Sequence, residues 1–182
     1  MRSPRVVFLD FDGVLNSLAY IKARGRASVP GDPAHSIDPA AIAYLNEIVQ
    51  RSGAVVVISS SWREMMPLDG LRQLLARRGF VGMIVGKTPS LSSMPRIPSA
   101  AGKLIAPPEG VDIAFERGHE IQAWIDVHGP VESFVILDDH NDMVHLMSRL
   151  VQTHYDDGLQ ARHIPRALSL LATACPRTAA VR

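Results

Sequence analysis

Two aspartates separated by one residue stand at the end of an apolar stretch near the start of the chain. The stretch RVVFL is followed by Asp10, Phe11 and Asp12, and then by Gly13. Neighbouring carboxylates can hold a hard cation, act as a nucleophile or transfer protons. The glycine allows a sharp turn that leaves a substrate site unobstructed. The pattern indicates a chemical site at the end of a strand.

Two further apolar stretches, AVVVI and FVIL, also end in hydroxyl or carboxylate side chains. These side chains are Ser59 and Ser60 after the first of them, and Asp138, Asp139 and Asp142 after the second. Ligands of open parallel sheets lie beyond the carboxyl ends of the strands, so these side chains are expected to meet. Clustered carboxylates raise one another's pKa unless a cation neutralises them. Mg²⁺ suits such a cluster and phosphoryl transfer uses it.

The elements that must position these residues alternate between short apolar strands and amphipathic helices. Strands are predicted at residues 6–9, 54–58, 81–85, 134–137 and 150–153. Helices are predicted at residues 39–52, 68–78, 119–128 and 164–172. This alternation predicts an α/β fold, in which a parallel sheet is covered by helices on both faces in three Rossmann-like layers.

The domain organisation is predicted to be a single domain over residues 1–182 with a minimal cap. Two segments are long for plain connections, and both are candidate binding loops. They are a flap or small cap insertion at residues 17–37 and a proline-rich loop at residues 86–116. Residues 174–182 are predicted to be a flexible tail.

Composition excludes several classes of protein. Hydrophobic residues make up 47%, which supports a sizeable core, and the formal net charge of +1 gives no general attraction to nucleic acid or membrane. The single Cys175 excludes an internal disulfide framework and favours a reducing compartment. No apolar run has the length of a membrane span. Asp10 and Asp12 interrupt the apolar stretch near the N-terminus, which therefore does not resemble a signal peptide. We therefore expect a soluble cytoplasmic protein.

Together the motifs resemble the signatures of the haloacid dehalogenase (HAD) superfamily. FLDFDGVLN resembles its first signature, VVVISSSW its second and VILDDHND its fourth. The third signature is a Lys or Arg that begins a helix, and Arg117 in ERGHEIQAWID is similar to it. With GKTP and VQTHYDDGL, residues 5–159 resemble the HAD domains of Swiss-army-knife RNA repair proteins. The resemblance implies an HAD-like fold.

The resemblance also implies a role for each matching acid. Asp10 would be the nucleophile that attacks phosphorus, and Asp12 would serve as general acid and then as general base. The implied ligands of Mg²⁺ are the Asp10 side chain, the Asp12 backbone carbonyl and Asp138, with Asp139 or Asp142 acting directly or through water.

The remaining site residues are assigned in the same way, with alternatives. Ser59 would donate its hydroxyl to a phosphate oxygen, and Ser60 is the competing choice because strand ends are uncertain by a residue. Arg117 would neutralise the phosphoryl charge, and Lys87 and Lys103 are its rivals for that role.

Two other sets of residues are given no part in the site. The histidines fit no standard zinc spacing and are interpreted as ordinary surface or core residues; they are His119, His140, His145 and His154. Trp62 and Trp124 are interpreted as core anchors rather than platforms for stacking bases.

These features predict a Mg²⁺-dependent phosphohydrolase that forms an aspartyl-phosphate intermediate. A minimal cap suits a large phosphorylated substrate such as an RNA end, and the basic residues Lys22, Arg24 and Arg26 are candidates for contacting its backbone. A nucleotidase acting on small molecules is the nearest alternative. A receiver-like signalling module is disfavoured because the third strand is not followed by an aspartate. A non-catalytic phosphate-binding domain is disfavoured because the motif residues are all present.

Overall fold

The computed structural model describes residues 3–24, 32–91 and 116–175. These residues form an all-parallel five-stranded sheet with the order β3-β2-β1-β4-β5. The strands are β1 Arg5–Leu9, β2 Val55–Ile58, β3 Ile84–Lys87, β4 Ser133–Asp138 and β5 Leu150–Gln152. The predicted α/β fold with a parallel sheet is confirmed.

Helices cover both faces of the sheet. They are α1 Leu18–Arg24, α2 Pro39–Ser52, α3 Trp62–Met65, α4 Leu68–Arg77, α5 Arg117–His128 and α6 Ile164–Ala172. One hydrophobic core joins the sheet to α2, α4 and α6, and a second joins it to α5 and the 3-10 helix Val144–Arg149. Val7 of β1 belongs to the first core and Phe8 to the second, because successive strand residues face opposite sides.

The α2 helix shows how closely local sequence sets an element's ends. The Asp38 carboxylate accepts a hydrogen bond from the Ala40 N–H at 2.8 Å, and Pro39 occupies the first turn. Gly53 ends the helix in the left-handed conformation, at φ 69°. The predicted bounds of α2 are confirmed.

The third strand lies further along the chain than predicted. The sequence prediction was residues 81–85, but pairing with β2 begins at Ile84 and β3 ends at Lys87. Val81 and Met83 are each 66% exposed. The prediction was wrong because these apolar side chains precede the strand on the surface, and hydrophobicity alone does not reveal where an edge strand begins to pair.

Some predictions fall on residues outside the described ranges. These residues are 25–31, with Arg26, 92–115, with Lys103 and most of the predicted proline-rich loop, and 176–182 in the predicted tail. The described part of the predicted flap contains α1 and a 3-10 helix at Pro33–Ser36. In residues 3–24, 32–91 and 116–175, every helix is too short or too polar to cross a membrane.

Candidate active site

The register of the sheet sets the ends of three strands side by side. Leu9 at the end of β1 pairs with Ile58 of β2 and with Leu137 of β4. The next residues along these strands are Asp10, Ser59 and Asp138. The alignment persists for one residue more, because the Asp10 N–H donates to the Leu137 carbonyl at 3.0 Å and the Ser59 N–H to the Leu9 carbonyl at 2.8 Å.

Four side chains at this edge could hold a metal ion together. Asp10, Asp138, Asp139 and His140 each offer one ligand atom, and these atoms lie within 4.8 Å of one another. Asp10 and Asp138 are buried, with exposed fractions of 4% and 1%. His140 was interpreted from the sequence as an ordinary surface or core histidine; its side chain is 72% exposed, and its Nδ1 lies 3.0 Å from Asp139 Oδ1.

Burial makes this group of acids electrostatically unusual. Burial, followed by the charge of Asp10, raises the pKa of Asp138 to about 8, against the lowering effects of the His140 N–H and Arg117. Burial is also the main reason that the pKa of Asp10 is raised, while Arg117 and a hydrogen bond from Ser60 lower it. Asp138 is therefore protonated near neutral pH when no metal ion is bound.

Two carboxylate oxygens in or beside this group, Asp138 Oδ2 and Asp142 Oδ1, have no hydrogen-bond donor within the described part of the chain. Asp139 Oδ1 has the His140 ring nitrogen beside it. Buried acceptors without donors are costly, and a divalent cation with oxygen ligands would satisfy them. The residues present therefore fit a metal ion. Asp142 uses its other oxygen to accept a hydrogen bond from the Arg117 N–H at 3.1 Å, which caps α5.

Asp12 is oriented by side-chain contacts and not by strand geometry. A two-residue offset would place Asp12 on the same side as Asp10 only along an extended strand, and β1 ends at Leu9. Its Oδ1 accepts a hydrogen bond from Asn16 Nδ2 at 2.7 Å, and its Oδ2 accepts one from Trp62 Nε1 at 3.0 Å. Asp12 is also more exposed than Asp10.

Gly13 brings the turn after β1 against the acids that follow β4. Its φ is +67°, and a Cβ at this position would lie 2.4 Å from Asp139 Oδ2. The Gly13 carbonyl accepts a hydrogen bond from the Thr153 hydroxyl at 2.7 Å. Both the conformation and the close approach require glycine.

The two serines after β2 have different surroundings. The Ser60 hydroxyl lies against Asp10, where its hydrogen bond lowers the pKa of that carboxyl. Ser59 is 1% exposed, and its Oγ has no hydrogen-bond partner among the described residues. An unpaired buried hydroxyl beside the acids is available to a ligand oxygen.

Arg117 lies at the first residue of α5, beside the acids. Its Nε is 3.6 Å from Asp138 Oδ2, and its Nη1 is 3.5 Å from Glu120 Oε2. Its side chain is 17% exposed. The rival Lys87 donates from Nζ to the Arg63 carbonyl at 2.7 Å and forms no ion pair with the acids within the described ranges.

Sequence reasoning missed a buried ion pair behind the serines. Arg63 Nη2 lies 2.6 Å from Glu120 Oε1, and both side chains are less than a tenth exposed. Arg63 Nη1 also donates to the Ser60 carbonyl at 2.8 Å. Glu120 thus contacts both Arg63 and Arg117. The sequence held one signal for the Glu120–Arg117 contact, because Glu120 lies three residues after Arg117 and side chains at that spacing meet on a helix.

Sequence reasoning also missed the role of Gly118 in the start of α5. A Cβ there would lie 2.2 Å from the Met143 carbonyl oxygen. The Gly118 N–H donates to the Asp142 carbonyl at 3.2 Å. The absence of a side chain lets the helix that begins with Arg117 approach the loop that carries Asp142.

The basic residues of the predicted flap are only partly available to a substrate. Arg24 Nη1 donates to the Tyr20 hydroxyl at 2.8 Å and to the His35 carbonyl at 3.3 Å. Lys22 is exposed on α1. Of the two described basic side chains of this cluster, Lys22 therefore faces solvent, while Arg24 binds neighbouring parts of the chain.

Comparison with known proteins gives one family match. The model of a family described as the HAD domain in Swiss Army Knife RNA repair proteins matches residues 6–164. That range contains all of the acids, serines and arginines described above. HAD domains in general are hydrolases or phosphatases that use a metal ion. No curated protein matches the sequence.

Proposed function

This chain belongs to the family of HAD domains in Swiss Army Knife RNA repair proteins, and we propose that it is a Mg²⁺-dependent phosphohydrolase that forms an aspartyl-phosphate on Asp10. The observation that carries the proposal is that the buried Asp10 and Asp138 meet Asp139, with Arg117 beside them. Such an arrangement is suited to phosphoryl transfer, where catalysis consists mainly of positioning and charge neutralisation.

The proposed metal ligands are oxygen atoms from the ends of β1 and β4. The Asp10 and Asp138 side chains and the Asp12 backbone carbonyl would hold Mg²⁺, and Asp139 would assist directly or through water. When bound, the ion would neutralise charge on the phosphoryl oxygens. The Asp138 Oδ2 oxygen, which has no hydrogen-bond donor within the described residues, supports this assignment.

In the first proposed step, a carboxylate oxygen of Asp10 attacks phosphorus. The bond between phosphorus and the leaving oxygen breaks, the electron pair stays with that oxygen, and Asp12 donates a proton to it. The Ser59 hydroxyl donates a hydrogen bond to a phosphoryl oxygen, with Ser60 as the alternative donor. Arg117 balances the phosphoryl charge, and Gly13 keeps the approach to Asp10 open.

In the second step, the Asp12 carboxylate takes a proton from water as the water oxygen bonds to phosphorus. The bond between phosphorus and Asp10 breaks, and its electron pair returns to the carboxylate. The products are an alcohol and inorganic phosphate. Asp12 thus ends protonated, as it began, and the cycle closes.

The proposed substrate is a phosphate at an RNA end. The description of the matching family supports this choice, and the exposed Lys22, which follows the turn with Asp10 and Asp12 along the sequence, could contact a phosphate backbone. The net charge of +1 and the engagement of Arg24 with Tyr20 favour the second candidate, a nucleotidase for small molecules. The single Cys175 remains the basis for proposing a cytoplasmic location.

Phosphate release from a panel of substrates tests the proposal. The panel contains p-nitrophenyl phosphate, mononucleotides and oligonucleotides with a 3′- or 5′-phosphate, each with Mg²⁺ or EDTA. We expect Mg²⁺-dependent release that Asp10→Asn abolishes and that is fastest on oligonucleotide ends. Release confined to mononucleotides would establish the second candidate instead, and release that survives Asp10→Asn would remove the nucleophile.

A further inference from the structure

The carboxyl group of Asp12 is held by two donors from different parts of the chain. Asn16 Nδ2 donates to Oδ1 at 2.7 Å and Trp62 Nε1 donates to Oδ2 at 3.0 Å. Asn16 comes from the turn after β1, and Trp62 from the start of α3 after β2. One donor on each oxygen fixes both the position and the plane of the carboxyl group.

Trp62 is itself held in place. Its ring packs on Phe11 with centroids 5.2 Å apart and an angle of 54° between the planes. The Trp62 backbone N–H points to the Ser60 hydroxyl at 3.4 Å, and the ring contributes to the first hydrophobic core. The sequence-based interpretation of Trp62 as a core anchor therefore describes only part of what its side chain contacts.

Asn16 is equally constrained. It is 5% exposed, and its Oδ1 accepts a hydrogen bond from the Gly13 N–H at 3.1 Å. Its own backbone N–H donates to the Phe11 carbonyl at 3.1 Å. The amide group therefore closes the turn that carries Asp12 and leaves its NH₂ group directed at the Asp12 carboxylate.

The chemistry of the two donors suits a carboxyl group that must pass a proton. An indole N–H and an amide NH₂ can only donate, so neither takes the Asp12 proton. Each carboxylate oxygen has a second lone pair, which remains for the proton that Asp12 gives to the leaving oxygen or takes from water. The contacts restrain the group without occupying its working positions.

We infer that Trp62 and Asn16 are positioning residues that hold Asp12 in the geometry for proton transfer. The inference rests on the proposed function, in which Asp12 is the general acid and base. Its consequence is specific to proton transfer, because a leaving group that is a weak base departs without much help from an acid. A loosened Asp12 therefore harms substrates with strongly basic leaving oxygens most.

The dependence of rate on the leaving group tests this inference. The kcat/KM of Trp62→Phe is measured on a series of substituted phenyl phosphates, from p-nitrophenyl to unsubstituted phenyl. We expect Trp62→Phe to lose about tenfold more kcat/KM on unsubstituted phenyl phosphate, which has the more basic leaving oxygen, than on p-nitrophenyl phosphate. Asp12→Asn should make kcat/KM depend even more strongly on the basicity of the leaving oxygen. The double variant with Trp62→Phe should show the same dependence as Asp12→Asn alone.

Trp124→Phe is the matched control. Trp124 is 5% exposed in the second core, and its Nε1 has no hydrogen-bond partner within the described residues. The control makes the same change of ring in a core position without removing a contact to Asp12. It should keep the leaving-group dependence of the natural chain, even where overall activity or stability falls.

A second variant keeps the test decisive if Trp62→Phe does not fold. Asn16→Ala removes the other donor to Asp12 and should change the leaving-group dependence in the same direction. A uniform loss across the series in the folded variants would overturn the inference, because a merely structural role predicts it. If the natural chain shows no phosphate release that depends on Asp10, the proposed function fails first and this inference fails with it.

Discussion

The carboxylates of Asp10 and Asp138 share one group of ligand atoms that lie within 4.8 Å of one another. They meet because β1 and β4 are neighbouring parallel strands that pair from Arg5 with Ser133 to Leu9 with Leu137. The charge of Asp10 is one cause of the raised pKa of Asp138. The metal-free site is therefore a place where protons and metal ions compete.

This competition predicts that metal binding depends on pH. Burial raises the pKa of Asp138 to about 8, so below that pH the group is protonated and Mg²⁺ must displace the proton. We expect the apparent Mg²⁺ affinity to rise with pH by about tenfold per unit, and to level off above about pH 8. Calorimetric titration across this range, in buffers of different ionisation enthalpy, measures both the affinity and the released proton.

The control for this prediction is Asp157→Asn. Asp157 forms an ion pair with Arg162, and the hydrogen bond from Arg162 lowers the pKa of Asp157. The Asp157 carboxylate is therefore already ionised across the pH range of the titration. The variant should keep the pH dependence of the natural chain. A Mg²⁺ affinity that is constant from about pH 6 to about pH 9 would show that Asp138 is not the group displaced.

The buried pair of Arg63 and Glu120 should contribute strongly to stability. Burial lowers the pKa of Arg63, and the charge of Glu120 opposes that effect. Glu120→Ala leaves Arg63 buried without this closest counter-charge. Removing one partner of a buried pair costs about 3–5 kcal/mol in the free energy of unfolding. Urea unfolding of the metal-free chain measures the change.

Glu47→Ala is the comparison for the buried pair. Glu47 contacts Arg51 at 2.6 Å, but both side chains are largely exposed, at 45% and 59%. Such a helical surface pair is worth about 0.3–0.5 kcal/mol. Equal losses from the two substitutions would mean that burial adds nothing to the Arg63–Glu120 contact.

Gly118→Ala should disturb the site through α5. A methyl group there would lie 2.2 Å from the Met143 carbonyl oxygen, so the start of α5 must move, and Arg117 with it. Overpacking of this kind costs about 1–3 kcal/mol, and we also expect weaker binding of inorganic phosphate to the metal-loaded protein.

Gly70→Ala in α4 is the control for Gly118. The nearest atom to a new methyl group there belongs to the Met66 side chain, at 2.7 Å, which can move aside more easily than backbone. It should change stability and phosphate affinity much less than Gly118→Ala. If the two variants behave alike, the contact between α5 and the Met143 backbone does not constrain Arg117.

The positions of the main acids could be predicted because each follows a strand whose apolar run is plain in the sequence. Leu9, Ile58 and Leu137 are fully buried and aligned in register, so the residues after them are brought together by the fold class itself. The same logic failed for β3, where Val81 and Met83 are apolar but exposed ahead of the strand.

The contacts that hold the site could not be predicted in the same way. The Trp62–Asp12 hydrogen bond depends on where the short α3 helix begins, and the Glu120–Arg63 pair on how α5 lies against the turn after β2. Periodicity identifies a buried face of a helix but does not specify which polar atoms meet across it. Gly118 shows the same limit, since only the packing of α5 on the Met143 backbone explains it.

Chemical trapping of Asp10 during turnover tests the central proposal most directly. An acyl phosphate is reduced by borohydride, so protein quenched during turnover and then reduced should carry homoserine at position 10, as detected by peptide mass spectrometry. We expect this product only with Mg²⁺ and substrate together, and none in Asp10→Asn, which should also release no phosphate. Steady phosphate release by a chain whose Asp10 stays unmodified, or by Asp10→Asn itself, would contradict the mechanism.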